Sequence, residues 1–114
     1  MRSLAKAASV ACPMNIIEIL LPLYDNDGAR FGNEPFVKVR EELVAQFGGL
    51  TAFVRNPAEG VWEEGGGRVH DEIVIFEVMA DWIDRSWWRA YRAILEARFR
   101  QEVIMIRARE MEQL

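Results

Sequence analysis

Two glutamates, Glu18 and Glu77, each interrupt a run that is otherwise strongly apolar. Glu18 stands in NIIEILLPLY (15–24) and Glu77 in DEIVIFEVMADWID (71–84). Two carboxylates brought into one apolar setting push each other's pKa upward, which prepares one of them as a general acid or base. They are the candidate catalytic pair. The alternative is that each pairs with Arg55, Arg107 or a subunit partner and only neutralises buried charge. Tyr24, Trp62, Arg55 and His70 are the candidate ligand-binding residues. Aromatic rings such as Tyr24 and Trp62 wall small-molecule sites, and equally serve core or loop packing. His70, in VHDE, titrates near neutrality and could act as a base, or could be a surface histidine beside acids.

Other chemistries find less support. Ser86 with His70 and an aspartate would be a triad only as a set of letters, because Ser86 falls in the first turn of a helix and has no elbow motif. The glycines at 65–67 precede neither GK[ST] nor a helix, so they are no phosphate loop. Cys12 is the single cysteine and His70 the single histidine, which excludes an intrachain disulfide and multi-histidine or cysteine-rich metal sites. An all-carboxylate site stays open in principle; the expectation is no metal and no cofactor.

These residues need elements to position them. On an extended backbone Ile73, Ile75, Glu77 and Met79 face one way and Val74, Phe76, Val78 and Ala80 the other. Both faces are apolar at the centre, as a strand buried on two sides requires. The first strand behaves alike: Ile17, Ile19, Leu21 and Leu23 share one face, Ile16, Glu18, Leu20, Pro22 and Tyr24 the other, and Pro22 should mark its end. Asp25-Asn26-Asp27-Gly28 is a turn signal. Phe36, Val39, Leu43 and Phe47 recur at helical spacing between an Asn33 cap and a Gly48-Gly49 stop. LTAFVR (50–55) reads as a second strand, and residues 56–68 as a glycine-rich loop or long hairpin with Val61-Trp62 its apolar handle. Asp84 caps a second helix over 85–100, with Trp88, Tyr91, Leu95 and Phe99 as its apolar stripe. EVIMIR (102–107) reads as the last strand, followed by a charged tail.

The order strand, helix, strand, strand, helix, strand predicts an α+β, ferredoxin-like βαββαβ domain: a four-stranded antiparallel sheet with both helices on one face. The first and third strands, the most apolar, belong at its centre. The opposite sheet face then carries Ile16, Glu18, Leu20, Ile73, Ile75, Glu77 and Met79, with Thr51, Phe53 and Arg55 and Val103, Met105 and Arg107 added by the outer strands. That face is too apolar to meet water, so the expectation is a homodimer packed sheet to sheet around a pocket.

At 114 residues, 51% hydrophobic and 28% charged, the chain suits one globular domain, placed over residues 15–110. Residues 57–84 carry eight acids against Arg68 alone, and residues 85–114 seven arginines against four acids. With a net charge of −4 and no aromatic RNP motif on the third strand, nucleic acid is not an expected partner. Arg85, Arg89, Arg92 and Arg100 read as a solvated helix face, with Glu96 placed to pair with Arg92 and Arg100. No run approaches the roughly 20 apolar residues of a membrane span. MRSLAKAASVACPM fits a signal peptide poorly because Lys6 interrupts it, so residues 1–14 read as a disordered extension, or Met14 as the start, of a cytoplasmic protein; export is the alternative.

PLYDNDG (22–28), FGGLTAF (47–53), AEGVW (58–62) and RFRQEVIMIRA (98–108) resemble a group of small bacterial ferredoxin-like proteins that has no assigned activity. The resemblance spans residues 15–108. More loosely the chain is similar to the dimeric α/β-barrel superfamily, which includes antibiotic-biosynthesis-type monooxygenases and stress-responsive barrel proteins. That resemblance is one of fold and carries no site residue. Two function classes follow: a binder of, or cofactor-independent enzyme acting on, a small apolar molecule, and a non-catalytic interaction or assembly module.

Overall fold

The computed structural model describes residues 14–55 and 72–114, with backbone alone at 53–55. Six elements run in the order β1 (Met14–Pro22), α1 (Glu34–Phe47), β2 (Thr51–Arg55), β3 (Ile73–Ala80), α2 (Arg85–Arg98) and β4 (Met105–Met111). The strands form one sheet in the order β2-β3-β1-β4, every neighbouring pair antiparallel. This is the ferredoxin-like α+β arrangement. Both helices pack on the same sheet face: Val39 and Leu43 of α1 and Trp88, Tyr91 and Leu95 of α2 share one core with Ile17, Ile19, Leu21, Val74, Phe76 and Val78.

The central strands follow from their alternation. Ile17 pairs with Val78, Ile19 with Phe76 and Leu21 with Val74, which places six apolar side chains on the helix side. β1 ends at Pro22, which lacks the donor that would continue a ladder. In the turn that follows, Asp25 Oδ1 accepts hydrogen bonds from the backbone of Asp27 (2.9 Å) and Ala29 (2.8 Å).

Helix ends show the expected residues, though not always the expected contacts. Asn33 precedes α1, but its backbone is already helical and its side chain makes no capping bond; a capping side chain normally needs an extended backbone at that position. Asp84 is extended and does cap α2, accepting from the Trp87 backbone at 3.2 Å. Gly48 ends α1 at φ +86°, and a Cβ there would meet nothing within 4 Å. Gly48→Ala should therefore lower stability through backbone conformation alone, by about 1 kcal/mol. Chemical denaturation measures this, and an unchanged midpoint would show that the turn relaxes freely.

The last strand lies further along than its sequence suggests. The expected strand at 102–107 with a charged tail is corrected to Met105–Met111, so the charged residues are the strand itself. The intervening residues turn the chain: Arg100 takes a left-handed φ of 53°, Phe99 and Ile104 bury into the core, and Glu96 Oε2 accepts from the Ile104 backbone at 3.1 Å. Charges on β4 suit an edge strand, where they discourage pairing with another chain. Val103, expected on the open face, precedes the strand and is exposed.

Candidate functional site

The register brings both candidate glutamates together. Glu18 on β1 lies directly opposite Glu77 on β3, on the sheet face away from the helices. Glu18 also lies opposite Arg107 on β4, and Glu77 opposite Thr51 on β2. Thr51, Glu77, Glu18 and Arg107 therefore form one polar row across all four strands. The next row is apolar, running through Phe53, Ile75, Leu20 and Met105 by register. On the other side lie Met79, Ile16 and Arg109.

The two carboxylates have different surroundings. Arg107 Nε donates to Glu18 Oε1 at 2.7 Å, and the Glu18 side chain is 15% exposed. A charge-assisted bond of that length neutralises Glu18 locally. Glu77 is partly buried, and no hydrogen bond or ion pair joins it to another described residue. With one arginine against two carboxylates, the row holds a surplus negative charge at Glu77. Glu77 also lines a groove of about 400 Å³ where β3 runs past the start of β2, beside Phe47, Leu50, Thr51 and Met79.

The remaining candidates are placed differently. Tyr24 lies beyond the end of β1, bridged to Arg30, whose guanidinium is 5.7 Å from the ring centroid. Its ring packs against the helix-side core, whereas simple alternation from β1 would put it on the open face; the chain leaves the ladder at Pro22, and alternation ends there. Arg55 pairs by register with Ile73, four residues along β2 from Thr51 and so about 13 Å from the polar row. Trp62 and His70 lie outside the described residues, as do residues 1–13. The sequence expectation of Arg92 with Glu96 is met at 3.6 Å, but Arg100 lies instead 3.7 Å from Asp25.

One polar cluster had no sequence signal. Arg98 donates to both carboxylate oxygens of Glu42 at 2.8 Å, and the Tyr91 hydroxyl donates to Glu42 Oε1 at 2.8 Å. The Arg98 hydrogen bonds hold the Glu42 carboxyl below its ordinary value against the opposing effect of burial. Burial, reinforced by the bond to Glu42, pushes the Tyr91 hydroxyl up, so it remains a donor. The cluster ties α1 to α2. Periodicity cannot show it, because the partners are 49 and 56 residues apart.

Among the described residues no three His, Cys, Asp or Glu side chains could hold a metal ion, and no helix is long and apolar enough to cross a membrane. Compared with protein-family models, curated proteins and solved structures, the chain finds no match.

Proposed function

We propose that this protein binds a small, mostly apolar molecule on the open face of its sheet, as a homodimer of the dimeric α/β-barrel type. The reading rests on Glu77: a partly buried carboxylate without a partner among the described residues, beside a Glu18 already held by Arg107. In an apolar enclosure such a carboxylate accepts a hydrogen bond from a ligand, or takes a proton from it as a general base without a cofactor. Glu18 and Arg107 then form the fixed edge of the site, and Leu20 and Met105 supply its apolar wall. Ile75 is 1% exposed and Met105 53%, so the face has a covered end and an open end that a second copy would close.

Native mass spectrometry of the purified protein tests both parts at once. The expected species has twice the 13.1 kDa of one chain plus a retained small molecule. Glu77→Gln should release that molecule while leaving the denaturation midpoint nearly unchanged. A monomer without ligand in both proteins would end the proposal.

A second reading, a non-catalytic assembly module, is supported by the Glu18–Arg107 pair at 2.7 Å, since the same neutralisation could extend to Glu77 through an arginine of a second copy. In that case Glu77→Gln leaves no ligand to lose and lowers dimer stability by about 3 kcal/mol or more, the cost of breaking a buried pair.

A further inference from the structure

A second cavity lies on the other side of the sheet, between α2 and the β4 edge, with a volume of about 520 Å³. Ile17, Trp88 and Ile106 form its floor; Ile17 is 1% and Trp88 7% exposed. Arg85, Arg89 and Arg92 form its helix-side rim, and Arg107 to Glu110 of β4, with two arginines and one glutamate, its sheet-side rim. The three arginines are spaced four and three residues apart, which puts them on one face of α2 and within reach of mutual repulsion. Arg92 is relieved in part by Glu96 at 3.6 Å. Arg85 and Arg89 make no hydrogen bond or ion pair with another described residue. By contrast Arg98, Arg100 and Arg107 each have an acidic partner.

The sequence alone places these arginines on a solvated face, because spacing along a helix does not reveal what lies across from it. In the fold they stand over a buried tryptophan floor. Positive charge above an apolar trough is the complement of an amphipathic anion, and the volume falls within the roughly 300–1,000 Å³ of small-molecule sites. We infer that this groove binds a small organic anion with an apolar body, its head group held by Arg85 and Arg89 and its body laid along Trp88 and Ile106. A polyanion fits less well, because Glu110 interrupts the basic rim, Arg107 is already bonded to Glu18, and the whole chain carries a net charge of −4. The inference is independent of the sheet-face site.

The test is titration of the full chain with decanoate, followed by calorimetry and tryptophan fluorescence, with inorganic phosphate as the head-group control. One decanoate should bind per chain and change the fluorescence, while phosphate alone binds more weakly. The double substitution Arg85→Gln, Arg89→Gln should weaken decanoate about tenfold or more, the scale of losing a charge-assisted contact. Both residues are exposed, so circular dichroism should remain native. Ala108→Leu, which narrows the groove without touching charge, should weaken it as well, and Glu77→Gln should leave it unchanged. The inference is overturned if decanoate shows no saturable binding, if the folded double variant binds it as wild type does, or if phosphate or a short oligonucleotide binds more tightly than decanoate.

Discussion

Replacing Phe99 with alanine is expected to remove about 3–5 kcal/mol of stability, the usual cost of truncating a buried phenylalanine. Phe99 is 0% exposed and follows α2 directly. Its ring meets Phe31 edge-on at 5.3 Å and Phe36 at 5.2 Å, one from the segment after β1 and one from the first turn of α1. The side chain therefore joins three parts of the chain, beside polar contacts such as Arg100 with Asp25 that lie at the surface. Its backbone N–H is bonded to the Leu95 carbonyl, and Arg100 beyond it is left-handed, so the surroundings cannot easily close over a missing ring. Against a total of about 5–15 kcal/mol, such a loss leaves the domain near its unfolding threshold. Urea denaturation at fixed pH gives the measurement, with the slope unchanged if only stability has moved. A loss under about 1 kcal/mol would show that the aromatic cluster repacks and that Phe99 is no keystone.

The second large effect is expected at Glu42. Glu42→Gln removes the charge that Arg98 grips with two bonds and that the Tyr91 hydroxyl also meets. Both side chains of the ion pair retain some exposure, 17% for Arg98 and 32% for Glu42. Solvent screening therefore holds the loss to about 1–2 kcal/mol at neutral pH. The pH dependence identifies the cause. Arg98 lowers the Glu42 pKa in the folded state, so the unfolded chain takes up the proton first as pH falls. The contribution is thus fully present above the ordinary glutamate pKa and is lost as pH falls through the depressed folded value. The stability difference between wild type and Glu42→Gln should stay constant from neutral pH down to the ordinary carboxylate range and shrink below it. A difference that persists unchanged in strong acid would mean that the variant fails by packing and that the ion pair contributes nothing.

For alternation along strands and spacing along helices, the sequence by itself determined the outcome, whereas the Asn33 cap did not form. The strict alternation in IVIFEVMA and IIEILL assigned the residues of β3, and those of β1 from Ile16 onward, to their correct sheet faces, because side chains on a strand have no other option. Phe36, Val39, Leu43 and Phe47 marked the buried side of α1, and Gly48 its left-handed end, because helical spacing and the cost of a Cβ at positive φ act within a few residues. The order of elements then led to the four-stranded sheet with β1 and β3 at its centre.

Tertiary structure decided which polar groups meet. Glu18 and Glu77 were visible as interruptions of apolar strands, but only the register set them opposite each other and gave Arg107 to Glu18. β4 misled because an edge strand carries charges and so loses the alternation by which strands are recognised. The Glu42–Arg98–Tyr91 cluster and the arginine groove over Trp88 join residues far apart in the chain, and no spacing rule reaches across two elements whose separation depends on how the core between them packs.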